Sequence, residues 1–168
     1  MVTGPRIIVV MGPAGSGKTT VGIPLASSLG WEFLDADQFH SAESVEKMRQ
    51  GIGLTDADRA PWLASMCRAL EEKLAQGKRV VLACSALKEE YRRALIPAND
   101  RNNVRFVYLH ADEKLLRERL ANRHGHYAGP ELLASQLQTL EEPLDALWVD
   151  ASLPPGEIVS RIRDAFAL

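Results

Sequence analysis

The sequence lacks a disulfide framework, a membrane-length apolar run and a large excess of charge of one sign. Its two cysteines, Cys67 and Cys84, are too few for the frameworks of small secreted domains. No apolar run approaches the ~20 residues of a membrane span, and the N-terminus has no signal-peptide layout. A formal net charge of -2 creates no cationic field for nucleic acid or an anionic membrane. We therefore expect one cytoplasmic domain over residues 1–168, with neither nucleic-acid nor membrane partners.

The stretch MGPAGSGKTT (11–20) follows a short apolar run and fits the pattern G-x-x-x-x-G-K-[ST]. Its glycines permit a tight turn whose backbone N–H groups point at phosphate oxygens, and a following helix directs its positive end there. Lys18 is expected to bridge the β- and γ-phosphates during catalysis, while the Thr19 hydroxyl binds Mg²⁺. The predicted nucleotide-binding residues of this stretch are Gly12, Ala14, Gly15, Ser16, Gly17, Lys18, Thr19 and Thr20. The motif thus predicts use of ATP with Mg²⁺.

Apolar β-branched runs alternate with helical patterns, which is typical of an α/β fold with a mainly parallel sheet. The predicted strands are RIIVVM (6–11), WEFLDAD (31–37), RVVLACSA (79–86), VRFVYLHA (104–111) and ALWVD (146–150). Helices are predicted between them, and Ser41, Thr55 and Asp112 are expected to cap three of these helices. Pro24 falls inside the first helix and should kink it or remove one hydrogen bond. The layout predicts a three-layer α/β/α domain of the P-loop nucleoside-kinase type with a five-stranded sheet.

Two acids stand at the end of the second predicted strand. Asp35 and Asp37 are two residues apart, so both side chains can lie on one side of a strand. Ligands of parallel sheets gather at the carboxyl ends of the strands. We interpret Asp35 as a group on the metal side and Asp37 as the base, or the group that orients the attacking hydroxyl. The alternative is that both are solvated turn residues or caps, because aspartate is common there.

With these motifs placed, the chain resembles the gluconate kinase (gluconokinase) family of small P-loop kinases over nearly its whole length. The matching strings, all in family order, are MGPAGSGKTT, FLDADQFH, VEKMRQG, LTDADRAPWL, ACSALKEEYR, RLANRHGHY and LLASQLQTLEEP. The resemblance implies phosphorylation of D-gluconate by ATP to 6-phospho-D-gluconate, with a homodimer as a family-level expectation. The departures from the family pattern fall on the acceptor side, where Ala36 stands in place of the usual glycine.

An acceptor that is an anionic polyol needs a cation for its carboxylate and several hydrogen-bonding groups. Arg59 is the leading candidate, because arginine forms two parallel bonds to a carboxylate; an ordinary exposed helix charge is its alternative. Lys88 and Arg92 follow the third strand and are further candidates, although a solvated helix face explains them equally well. Ser85 is expected to bind substrate, to cap the next helix, or both. His40 is interpreted as a polyol contact or as a structural hydrogen-bonding group.

A mobile lid is predicted over approximately residues 119–130, where RERLANRHGHY places arginines around a glycine. Arg119 and Arg123 are four residues apart and share a helix face. We expect Arg119 to contact the nucleotide and Arg123 to stabilise the transition state, because a closing lid brings positive charge to the transferred group.

Other functions remain open at this point. The nearest is shikimate kinase or another small-metabolite P-loop kinase, although the glycine-rich segment expected after the third strand of a shikimate kinase is replaced by ACSALK. A non-catalytic nucleotide-binding switch is the alternative of a different class. A GTPase switch would carry an N-K-x-D motif, which the sequence lacks.

Overall fold

The computed structural model describes residues 4–123 and 130–168. Within them the chain forms, in order, β1 (Ile7–Met11), α1 (Lys18–Leu29), β2 (Glu32–Asp35), α2 (Ala42–Arg49), α3 (Asp56–Ala75), β3 (Val80–Ala83), α4 (Glu89–Ala94), β4 (Val104–His110), α5 (Glu113–Ala121), α6 (Pro130–Thr139), β5 (Leu147–Asp150) and α7 (Pro155–Phe166). Short 3₁₀ turns lie at Ala36–Phe39, Pro97–Asn99 and Arg101–Asn103. Half of the predicted lid, residues 124–129, is outside the described residues.

The five strands form one sheet in the order β2-β3-β1-β4-β5, and every neighbouring pair is parallel. The central strand is β1, where Ile7 is in register with Val80 on one side and Val104 on the other. The predicted five-stranded α/β fold is confirmed. In a parallel sheet the carboxyl ends of all five strands lie on the same side, and the candidate site lies at these ends.

Side chains of β1 alternate between two cores because successive residues of a strand point to opposite faces. Ile7, Val9 and Met11 pack with residues of α3 and α4, whereas Ile8 and Val10 pack with residues of α1 and α7. All five are 0% exposed. Helices therefore cover both faces of the sheet, as the three-layer prediction requires.

The predicted helix starts are confirmed where side chains can satisfy the first N–H groups. Ser41 and Asp112 accept from the backbone N–H of Ser44 and Leu115, at 3.1 Å and 2.8 Å. Thr55 forms a full capping box: its hydroxyl accepts from the Asp58 N–H, and the Asp58 carboxylate accepts from the Thr55 N–H. Aspartate thus does the work that glutamate or glutamine usually does in this motif.

Two local predictions are corrected. The second strand ends at Asp35 because its carboxylate accepts from the Asp37 N–H at 2.9 Å and starts the 3₁₀ turn. The third strand ends at Ala83, and α4 begins after Lys88, so Ser85 does not cap that helix. The first helix continues through Pro24, which has no N–H, so one helical hydrogen bond is missing there as predicted.

Across residues 4–123 and 130–168, no helix combines the length and apolar character needed to cross a membrane.

Candidate active site

A cavity of about 440 Å³ opens at the carboxyl edge of the sheet. We call it the main cavity. It is lined by the loop between β1 and α1, the end of β2, α3, the segment after β3, and α6. The predicted site residues in its lining are Ala14, Gly15, Gly17, Lys18, Thr19, Thr20, Asp35, Asp37, His40, Arg59, Ser85 and Arg123. Residues that are far apart in the sequence therefore face one space.

The loop between β1 and α1, residues 12–19, has the backbone of a phosphate loop. Gly12 has φ 149°, and a Cβ there would lie 2.6 Å from the Ser16 Oγ. Gly17 has φ 97° and directly precedes α1. Both positions require glycine, because L side chains rarely adopt these angles. The Ser16 hydroxyl is buried and has no hydrogen-bond partner among the described residues.

Lys18 occupies the first position of α1 and faces the main cavity. Its Nζ donates to the Pro13 carbonyl at 3.2 Å. Burial lowers the pKa of Lys18, and the Arg123 guanidinium lowers it further, whereas the Asp37 carboxylate raises it. Asp37 and Arg123 line the same cavity as Lys18. The geometry brings together all three predicted catalytic residues, Lys18, Asp37 and Arg123.

The two acids have different surroundings. The Thr19 hydroxyl donates to Asp35 Oδ2 at 3.4 Å, and the other oxygen of Asp35 holds the Asp37 N–H. Asp37 lies in the 3₁₀ turn with an exposed carboxylate. The turn, rather than the strand alternation expected from sequence, brings both side chains to the cavity.

Next to the acids, His40 stacks on Trp62 with ring centroids 4.2 Å apart and an interplanar angle of 13°. Trp62 is fixed by a bond of 2.8 Å from its indole N–H to the Ala36 carbonyl. Burial lowers the pKa of His40 to about 4, and the neighbouring Arg59 contributes to this shift. His40 is therefore neutral near pH 7, with one ring nitrogen able to donate and one able to accept.

Arg59 is 7% exposed and reaches the main cavity from α3. Its Nη1 donates to the Leu54 carbonyl at 2.7 Å and to the Tyr91 hydroxyl at 3.1 Å. Tyr91 in turn donates to Asp56, a bond that lowers the pKa of the Asp56 carboxyl. Two acceptors use only one nitrogen of the guanidinium, which carries five N–H donors in all.

Lys88 and Arg92 lie elsewhere, which corrects their grouping with the substrate residues. Lys88 pairs with Asp56 at 3.4 Å, and its Nζ lies 5.6 Å from the centroid of the Tyr91 ring. The Arg92 guanidinium is buried and donates to the carbonyls of Ala86 and Glu141, at 2.7 Å and 3.0 Å. Arg92 thus holds the chain after β3 against the segment after α6, and neither cation lines the main cavity.

A smaller cavity of about 340 Å³, the side cavity, shares Gly15, Gly17 and Thr20 with the main cavity. Arg119 lines it and donates to the carbonyls of Gly15, Ser16 and Ala151, at 3.3 Å, 3.2 Å and 2.6 Å. Arg123 lines both cavities. The phosphate loop therefore borders both cavities, and Arg119 holds it against the segment after β5.

The comparisons with known proteins bear on the chemistry of this site. A family model described as an AAA domain matches residues 7–147. The gluconokinase of Gluconobacter oxydans is 48% identical over 84% of this chain and 78% of its own length. A gluconokinase structure from Sinorhizobium meliloti has a TM-score of 0.79 and 44% identity, covering 97% of this chain and 90% of that one.

The chain belongs to the gluconokinase family. A shikimate kinase structure from Aquifex aeolicus is 21% identical with a TM-score of 0.61, a likeness that extends to the fold alone. The family resemblance stated from the sequence strings is confirmed, and the function is that of a kinase rather than a switch.

The residues present fit the Mg²⁺ that a P-loop kinase of this family implies. The Thr19 hydroxyl and the Asp35 carboxylate place two hard oxygen donors within 3.4 Å of each other beside Lys18. Mg²⁺ prefers such donors and completes its shell with water and substrate phosphates. The described residues contain no cluster of three or more His, Cys, Asp or Glu side chains, so the protein alone offers no all-protein metal cage there.

Sequence reasoning missed several residues of the gluconokinase site. Apolar walls come from Met48, Leu54, Leu87 and Leu132, and a polar group comes from Gln136. Gln136 Oε1 accepts from the Ala14 N–H at 2.7 Å. The backbone N–H of Ala14, which was expected to contact the nucleotide, is therefore bonded to a protein side chain instead. The string LLASQLQTLEEP was part of the family resemblance, but its glutamine spacing alone does not place Gln136 at the loop.

Proposed function

We propose that this chain transfers the γ-phosphoryl group of ATP to a hydroxyl of D-gluconate and releases ADP and 6-phospho-D-gluconate. The observation that carries the proposal is the shared main cavity, which the phosphate loop, the acid pair and Arg59 all line. Gluconokinase family membership supports this choice of acceptor. The side cavity, which the phosphate loop also borders, suits the nucleoside part of ATP.

In the proposed reaction the acceptor oxygen attacks the γ-phosphorus while its proton passes to the Asp37 carboxylate. A bond forms between that oxygen and phosphorus, and the bond from phosphorus to the oxygen bridging the β-phosphate breaks, which frees ADP. Lys18 and Arg123 stabilise the negative charge of the transferring group in a site with limited water. Thr19 and Asp35 would hold Mg²⁺, which would supply positive charge to neutralise the phosphates.

On the acceptor side, we propose that Arg59 binds the gluconate carboxylate with the N–H groups that do not face Leu54 and Tyr91. Its position is fixed by those two bonds, so little side-chain entropy is lost on binding. Neutral His40 binds a hydroxyl, and Trp62 supports the imidazole ring from behind. Ser85 lines the same wall and contributes a further hydroxyl.

The test measures ADP release with Mg-ATP against a panel of acceptors: gluconate, shikimate, other sugar acids, nucleoside monophosphates and the neutral polyol sorbitol. Turnover is expected with gluconate, and sorbitol, which lacks the carboxylate, should be at least 100-fold poorer in kcat/KM. Strong turnover on another acceptor without turnover on gluconate would overturn the proposed substrate. Light scattering on the same preparation tests the homodimer that the family resemblance suggests.

A further inference from the structure

Helix α6 packs against both halves of the site. On one side it meets the loop between α2 and α3, where a Cβ at Gly53 would lie only 2.2 Å from the Ser135 Oγ. Leu132 is buried beside Met48 and Leu54 on the same side. On the other side, Leu133 packs with Ala14 of the phosphate loop. This packing on both sides restricts movement of α6 relative to the site.

Gln136 extends from this helix to the phosphate loop. Its Oε1 accepts from the Ala14 N–H at 2.7 Å. A backbone N–H only donates, so the oxygen of the carboxamide must be the end that meets Ala14. The NH₂ end is thereby directed away from Ala14, and Gln136 lines the main cavity.

Lys18 is anchored at the adjoining residue of the same loop. Its Nζ donates to the Pro13 carbonyl at 3.2 Å, while Gln136 is bonded to Ala14. The ammonium group and the carboxamide are thus attached to consecutive residues of the loop and border the same cavity. A neutral donor beside a lysine adds a hydrogen bond to an anionic oxygen without adding charge repulsion to the lysine.

We infer that Gln136 is a further residue of the transfer site, whose Oε1 holds the phosphate loop at Ala14 and whose NH₂ donates to an oxygen of the transferred phosphoryl group. The inference rests on the proposed function, since the group that reaches this position is the γ-phosphoryl of ATP. Donors aimed at a position where charge develops contribute strongly to phosphoryl transfer. Gln136 itself forms and breaks no covalent bond.

Two variants distinguish the role of the carboxamide oxygen from that of its NH₂ group. Gln136→Met keeps the length and removes both hydrogen bonds, whereas Gln136→Glu still accepts from Ala14 but places a carboxylate oxygen where the NH₂ was. Gln138→Met is the matched control, because Gln138 is exposed on the same helix. The readout is the affinity for ADP with beryllium fluoride, which occupies the γ-phosphoryl position, divided by the affinity for ADP alone, both with Mg²⁺.

The ratio is expected to fall at least tenfold in Gln136→Met and further in Gln136→Glu, with the control within twofold of wild type. A purely structural role would weaken both affinities in parallel, and an unchanged ratio would overturn the inference. If Gln136→Met does not fold, Gln136→Glu decides alone, since it keeps the contact with Ala14.

A second readout uses the complete reaction. With gluconate as acceptor, kcat of Gln136→Glu is expected to fall at least tenfold while KM for gluconate stays within threefold. The beryllium fluoride ratio needs no acceptor, so it tests Gln136 even where wild-type enzyme shows no turnover on gluconate. Failure of the proposed substrate and failure of the role of Gln136 therefore give different results.

Discussion

Asp35 and Asp37 carry the same functional group and meet different neighbours. Asp35 is engaged by the Thr19 hydroxyl and the Asp37 N–H, while the Asp37 carboxylate is exposed at the main cavity. An engaged carboxylate is suited to holding a metal-side position, and an exposed one is suited to receiving a proton. This difference supports the roles proposed for the pair.

Replacing Asp37 tests the proton acceptor directly. Asp37→Asn keeps the shape of the side chain and removes its basicity, so turnover is expected to fall by roughly 10²–10⁴-fold. ADP release measures turnover, and calorimetry should give an ATP affinity within threefold of wild type. Asp164→Asn, at an exposed position of α7, is the control and should be fully active. An active Asp37→Asn enzyme would remove Asp37 from the role of base.

His40 connects the site to the pH dependence of stability. Its folded pKa of about 4 lies below the ordinary histidine pKa of 6.5, so the unfolded chain binds more protons between these values. Stability therefore rises with pH in this window and falls on acidification. His40→Gln should lose less stability than wild type between pH 7.5 and pH 5, by roughly 2 kcal/mol.

Urea denaturation at both pH values measures this difference. His110→Gln is the control, because the side chain of His110 is 50% exposed. Equal acid sensitivity of wild type and His40→Gln would contradict the shift assigned to His40.

At the scale of elements, the packing of α1 on β2 depends on Gly22. A Cβ at this position would lie 2.7 Å from the Phe33 Cε1. Alanine favours a helix over glycine by about 1 kcal/mol, but overpacking a core costs about 1–3 kcal/mol. Gly22→Ala is therefore expected to lower Tm by roughly 2–6 °C.

Calorimetry checks this prediction against two comparison variants. Gly156→Ala, where an added Cβ meets nothing within 4 Å, should leave Tm unchanged or raise it. In a Phe33→Leu background the effect of Gly22→Ala should shrink, because the smaller side chain relieves the contact. The same loss of Tm in both backgrounds would show that the contact is not its cause.

For the molecule as a whole, nucleotide binding and folding are linked. The phosphate loop joins the central strand to α1, so a ligand held there stabilises the folded chain and not the unfolded one. Mg-ADP at about 100 times its Kd is expected to add roughly 2.7 kcal/mol and to raise Tm by roughly 5–10 °C. Lys18→Ala should lose most of this shift.

Thermal scans with and without Mg-ADP provide the measurement. Lys114→Ala, at an exposed position of α5, is the control and should keep the full shift. A full shift in Lys18→Ala would contradict the placement of the phosphates at this lysine.

Local patterns in the sequence determined the fold class and the donor side of the site. The apolar run of β1 requires burial on both faces of the sheet. The glycines and Lys18 of the phosphate loop all lie in the short segment 12–18. Caps such as Ser41 and Asp112 act on N–H groups three residues away. Interactions of such short range can be read directly from spacing.

Only the tertiary structure decided the acceptor side. Arg59 and Arg92 are both buried arginines on helices, yet one lines the main cavity and the other holds two backbone carbonyls. Gln136 meets Ala14 across 122 residues of sequence. Such contacts depend on which elements the parallel sheet brings side by side. The spacing of residues along one helix predicts which of them share a face, but not which surface that face will contact.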